Sequence, residues 1–275
     1  MAEEQVTVIK PSKGWKFINV REIVNYKDLL FFLVVRGIKA KYAQSVLGVG
    51  WAIIQPLVST LIFTVVFGNL AKISSDGVPY FIFSLTALVP WTYFSNTLTE
   101  SANSLVTNAN LITKVYFPRM VLPLSAALAK LLDFAIGFIL LLIVLVVYGF
   151  GISWWILMLP PLLIILLLTS LGLGMWLSAM AVQFRDVKHA LAFMVQLLMY
   201  MAPVVYPTSN VPLKYQFVYS LNPMVGVIEG FRAIFLHHQS MPWNIIINGA
   251  VVSVFIFIGG AFYFRKMEKN FADVA

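Results

Sequence analysis

Two pairs of opposite charges lie three residues apart in otherwise apolar stretches, Lys130 with Asp133 and Glu229 with Arg232. At that spacing the partners share one face of a helix, and mutual neutralisation lowers the cost of burying them. Each pair is read both as a structural element and as a candidate part of a transport path, because ionisable groups at membrane depth are functional candidates. Other reactive chemistry is missing. Without cysteine the chain has no thiol nucleophile, disulfide or zinc thiolate. Of the three histidines two are adjacent, His237 and His238, which lacks the spacing of a catalytic metal site. No GxxxxGK[ST] loop, GxGxxG turn, HExxH helix or GxSxG elbow occurs. The expectation is a chain that is not an enzyme, holds no metal and does not hydrolyse nucleotide by itself.

The elements that position these charges are membrane-grade. Of 275 residues 60% are hydrophobic and 11% charged, with mean hydropathy +0.89, far from the soluble range. This points to an all-α polytopic membrane protein. A spanning helix needs about 20 apolar residues, and six stretches qualify: 46–70, 80–99, 121–148, 154–182, 190–206 and 243–264. The first 28 residues carry many charges and no long apolar core, so no cleavable signal peptide is expected.

Placing both termini in the cytoplasm puts 15 of the 19 lysines and arginines on that side, as the positive-inside rule requires. The net charge of +8 is thereby topological and does not imply nucleic acid. The apolar stretch 217–236 is not read as a seventh span. Asn222 and Pro223 break it, Glu229 and Arg232 lie inside it, and a further crossing would put residues 265–269 on the wrong side. It reads instead as two short helices, part of a re-entrant external segment over 207–240. Asn222, Pro223, Glu229 and Arg232 are its gate candidates.

Ahead of the first span the run Leu29–Val35 is too short to cross, and charges flank it. An amphipathic helix lying in the cytoplasmic interface follows, within a cytoplasmic segment 1–45 that precedes the transmembrane domain 46–275. Gly226 with Gly230, and Ser170, Gly172, Gly174 and Ser178, mark places where helices approach closely. Aromatic residues form 15% of the chain. Most fit packing and interfacial belts, as for Trp51, Trp91, Trp154, Trp155 and Trp243. Trp51, Phe63, Phe67 and Trp91 are also candidates for lining a channel, where flat rings stack on sugars.

Five stretches in order, "KYAQSVLGVGWAIIQPL" from 41, "FGNLAKISSDGVPYFIF" from 67, "NANLITKVYFPRMVLPLSA" from 108, "LSAMAVQFRDVKHAL" from 177 and "SLNPMVGVIEGFRAIFL" from 220, carry a likeness. The chain resembles the membrane subunit of ABC-2 type polysaccharide exporters, and within that class the O-antigen permeases. The resemblance covers about residues 20 to 265. It implies a homodimer with two separate ABC ATPase subunits docked from the cytoplasm, ATP and magnesium being held by those partners and no cofactor by this chain. It also implies export of a lipid-linked polysaccharide across the bacterial inner membrane.

On the same resemblance 104–118 is the cytoplasmic coupling helix, with Asn108 and Asn110 as caps and Lys114, Tyr116 and Arg119 facing the ATPase. Arg185 and Asp186, between the fourth and fifth spans, form a second contact. Arg36, Lys39 and Lys41 are candidates for meeting the lipid pyrophosphate. Other cargoes (teichoic acid, capsular glycan, lipid or drug) and a passive channel or scaffold remain open on sequence alone.

Overall fold

Proline and glycine set most of the helix boundaries. In the computed structural model the described residues are 20–43, 45–151, 153–184, 186–236, 240–268 and 271, with the backbone alone at 20. Expectations that rest on 1–19, Arg185, His237, His238 or Lys269 lie outside them. The described residues form α1 (Val20–Asn25), α2 (Lys27–Tyr42), α3 (Trp51–Phe63), α4 (Tyr80–Thr107), α5 (Ala109–Lys114), α6 (Val121–Val147), α7 (Leu159–Gln183), α8 (Asp186–Tyr200), α9 (Leu213–Ser220), α10 (Pro223–Leu236) and α11 (Trp243–Met267), and no strand.

A 3-10 turn, Gly48–Gly50, leads into α3, which runs on as π-helical turns over Thr64–Leu70. Pro56 lies inside α3 and removes one backbone donor, while the hydroxyl of Thr60 donates to the Pro56 carbonyl at 2.7 Å. The far end of α6 closes on Gly149, whose φ of +75° few other residues adopt; there the Phe150 N–H donates to the Leu145 carbonyl at 2.9 Å. A second 3-10 turn, Trp154–Met158, precedes α7.

Among the described residues four stretches are long and apolar enough to cross a bilayer: Gly48–Leu70, Val121–Val147, Trp154–Gln183 and Trp243–Met267. They correspond to the first, third, fourth and sixth expected spans. The second expected span is the front part of α4, a 28-residue helix of which 19 residues are buried. Buried Ser84, Thr86, Thr97, Ser101 and Ser104 lower its hydropathy, since α4 is wrapped by other helices and needs little apolar surface of its own. The fifth expected span, 190–206, is not a single helix. α8 covers Asp186–Tyr200 and turns follow, because Pro203 cannot continue a helix. Its 15 residues are fewer than a crossing needs.

Cross-helix contacts fix the directions. The Ser101 hydroxyl donates to the Pro123 carbonyl at 3.1 Å and that of Tyr93 to the Ala127 carbonyl at 3.2 Å, so α4 and α6 are antiparallel. Ser104 and Ser178 hydroxyls lie 3.4 Å apart, and a Cβ on Gly174 would fall 2.6 Å from that of Ser101, so α4 and α7 run parallel. α7 and α11 are parallel too and touch backbone to backbone: a Cβ on Gly260 would come within 2.1 Å of the Gly172 oxygen. The end of the bundle that holds Thr107 therefore also holds Val121, Gln183 and Met267. A large core surrounds α4, and a smaller one at this end joins Leu33, Ile112, Phe117, Met120, Phe264 and Phe271.

Candidate functional site

The segment between α4 and α6 is held from both sides. At its start the Arg36 guanidinium of α2 donates to Asn108 Oδ1, while Asn108 Nδ2 donates to the Ser104 carbonyl at 2.8 Å. At its end the Arg119 N–H donates to Glu268 Oε1 at 3.0 Å, and its guanidinium donates to the Glu268 carbonyl and lies 5.8 Å from the Phe271 ring. Arg265 pairs with Glu268 at 2.8 Å and with Glu22 of α1 at 3.3 Å. The amino-terminal helices, this segment and the carboxyl-terminal end thus form one cluster of hydrogen bonds and ion pairs over the smaller core.

Several expectations change here. The helix expected over 104–118 is shorter: Ser104–Thr107 close α4, α5 spans Ala109–Lys114, and Val115 is extended. Asn108 occupies the position before α5 but its side chain does not cap it, because that amide is bound to Arg36 and Ser104. Asn110 lies within α5 and is not a cap. Ile112, Phe117 and Pro118 are buried, which leaves Thr113–Tyr116 as an exposed tip carrying Lys114 and Tyr116, the latter 63% exposed. Arg119 faces the carboxyl-terminal end of the chain. Asp186 is exposed at the start of α8, at the same end of the bundle by the parallel course of α4 and α7.

α2 runs beside α6 in the same direction, with Gly37 against Ala129 and Lys41 on Asp133. The expected Lys130–Asp133 pair does not form. Asp133 accepts from Lys41 at 2.6 Å and from the Tyr42 hydroxyl, while Lys130 reaches Glu100 of α4 at 3.1 Å. Burial first, then the hydrogen bond and charge of Asp133, raise the Tyr42 phenol above its ordinary value. Of the three cations expected near the lipid pyrophosphate, Arg36 and Lys41 are engaged within the chain. Lys39 is exposed and makes no ion pair among the described residues.

Glu229 and Arg232 pair as their spacing predicts, at 2.8 Å, with side chains 4% and 6% exposed. Arg232 also reaches the Val204 and Tyr206 carbonyls and sits 3.6 Å above the Phe83 ring. All fourteen residues of α10 are buried. Asn222 does more than interrupt the chain: its Oδ1 accepts from the Met224 N–H at 3.1 Å and Pro223 opens α10, as suits the first position of a helix. Gly226 and Gly230 do not serve one shared contact, since the first packs on Ile245 and Ile246 of α11 and the second on Leu162 of α7. These contacts put α9 and α10 at the end opposite the clasped segment.

Among the aromatic candidates Trp51 is 43% exposed, and Phe63 and Phe67 form an edge-on pair at 5.3 Å. Trp91 is only 5% exposed and packs on Phe94 in the core, so within this fold it does not face a channel. Glu22, Tyr42, Glu100 and Glu268 were not singled out from the sequence. The partners of Glu22, Tyr42 and Glu100, and Arg119 as a partner of Glu268, lie far away along the chain where no local spacing signals them; the Arg265–Glu268 pair, three residues apart, had a local signal.

Comparison with known proteins places the chain among described transport proteins. The family described as "ABC-2 type transporter" matches residues 28–236. The chain is 31% identical over 256 residues to the O-antigen export system permease protein RfbA of Myxococcus xanthus, covering 92% of this chain and 98% of the relative. A Klebsiella pneumoniae protein of the same description is 28% identical over 254 residues, 90% of this chain and 95% of the relative. The polysialic acid transport protein KpsM of Escherichia coli is 24% identical over 239 residues, 86% and 92% of the two chains.

Proposed function

Since this chain belongs to the ABC-2 type transporter family, we propose that it is the permease subunit of an ATP-driven exporter of a lipid-linked polysaccharide of O-antigen type. Two copies form the channel in the bacterial inner membrane, and two ABC ATPase subunits dock from the cytoplasm, carrying the ATP and magnesium. The observation that carries this reading is end-to-end similarity to an O-antigen permease, 98% of whose length is matched. The absence of any phosphate-binding loop from the sequence supports hydrolysis on another chain. The polysialic acid transport relative supports a different glycan as the alternative cargo.

In this reading α4, and α8 together with the turns that follow it to Tyr206, complete six crossings, both termini are cytoplasmic, and α9 with α10 are re-entrant from the outer side around the Glu229–Arg232 pair. The exposed tip with Lys114 and Tyr116, together with Asp186, meets the ATPase. Arg119 and Asn108 act by holding that tip. Lys39 is offered to the lipid diphosphate while Arg36 and Lys41 fix α2. Exposed apolar side chains along α3, such as Ile53, Val58, Leu61 and Ile62, are available to the second copy.

The test is co-expression with an ABC ATPase. A complex of two permeases and two ATPases that restores surface glycan to an export-deficient strain is expected. A chain that restores export with no ATPase bound refutes the reading.

A further inference from the structure

Four helices enclose a polar cleft that neither the clasped segment nor the Glu229–Arg232 pair uses. α2 contributes Lys41, α3 Gln55, α4 Thr92 and Asn96, and α6 Lys130 and Asp133. Asn96 lies eleven residues before the end of α4 and Asp133 twelve after the start of α6, which is about 16–18 Å along each helix. Polar side chains between apolar helices are costly unless they find partners.

The charges are already balanced, Lys41 by Asp133 at 2.6 Å and Lys130 by Glu100 at 3.1 Å. An anionic headgroup would have to compete with both carboxylates. What the cleft leaves uncommitted is neutral: the side chains of Gln55, Thr92 and Asn96 make no hydrogen bond within the chain among the described residues. Amides and a hydroxyl both donate and accept, as sugar hydroxyls do. Tyr93 and Phe134, edge-on at 5.5 Å, add aromatic wall. The enclosed volume is small, about 30 Å³, so the cleft takes the edge of a ligand and does not engulf one.

We propose that this cleft binds an uncharged sugar of the cargo, with Gln55, Thr92 and Asn96 as its hydrogen-bonding groups. The proposal rests on the polysaccharide-exporter reading for its ligand class.

The test uses the full chain in nanodiscs without ATP and an alkyl glucoside with a photoreactive group in its chain. Labelling of α3 and α4 is expected to fall about tenfold in Gln55→Leu and in Asn96→Leu, and a phosphocholine lipid of equal chain length should not compete. Elution and thermal unfolding of each variant establish that it is folded, and Gln55→Asn, which keeps the amide, should retain part of the labelling. Unchanged labelling in both leucine variants overturns the proposal, as does equal competition by phosphocholine, which would make the cleft a phospholipid site. ATPase recruitment, read on the same preparations, separates the two ideas. A chain that recruits an ATPase but shows no sugar-selective labelling overturns the cleft alone, whereas sugar-selective labelling without recruitment upholds the cleft and counts against the exporter.

Discussion

Arg119 and Glu268, 149 residues apart in sequence, clasp the segment before α6 to the carboxyl-terminal end: the Arg119 N–H donates to Glu268 Oε1 at 3.0 Å and its guanidinium to the Glu268 carbonyl. The contact ties the loop beside the exposed tip to α11, which packs backbone to backbone on α7. Through these contacts the segment beside the tip is joined to two long helices.

Glu268→Ala removes an acceptor from both Arg119 and Arg265. The complex with an ATPase should still assemble, while stimulation of ATP hydrolysis by cargo falls roughly two- to thirtyfold. Pull-down and steady-state ATPase assays on one preparation check this. Loss of assembly with normal stimulation per complex would show that the clasp serves docking only.

Lys114→Ala and Tyr116→Ala should do the reverse. Both side chains are exposed, so unfolding stability should change by no more than about 0.5 kcal/mol. ATPase association should weaken. Thermal unfolding of the lone chain and titration with the ATPase separate the two effects.

A double-mutant cycle on Lys41→Met and Asp133→Asn should return a coupling of about 1–2 kcal/mol, since the side chains are in contact at 2.6 Å. The equivalent cycle on Lys130 and Asp133 should return close to zero, because those two take other partners. Denaturation in mild detergent is the measurement.

Replacing Arg232 by Met strands the Glu229 carboxylate in a buried site, at a cost of about 3–5 kcal/mol. Converting both to apolar residues should cost less than that single change. Arg232→Lys should not restore stability, because an ammonium lacks the planar fork that reaches Glu229 and the Val204 and Tyr206 carbonyls beneath Phe83.

Gly260→Val would drive a side chain into the Gly172 carbonyl. Separating α7 from α11 should cost about 3 kcal/mol or more. A matching loss of monodisperse protein on gel filtration is expected, with Gly259→Ala, whose Cβ would meet only the Trp176 ring at 3.9 Å, as the tolerated control.

Helix type and the long apolar stretches were legible in the sequence because length and hydropathy are local properties: Val121–Val147 and Trp243–Met267 fall within a few residues of their expected spans. The Glu229–Arg232 pair was legible for the same reason, since i and i+3 on one helix meet whatever surrounds them. The same rule failed for Lys130 and Asp133. Helical spacing allows a contact but does not forbid a better partner, and α2 and α4 bring Lys41 and Glu100 within reach.

The composition and order of residues by themselves determined a helical membrane chain and the family likeness. Only the tertiary structure decided which charges are spent inside the chain, which tip is exposed, that Trp91 is core, and that Asn108 binds Arg36 instead of capping. Those outcomes depend on contacts between residues tens to hundreds of positions apart, and such contacts are chosen by how the helices pack together and not by any local pattern.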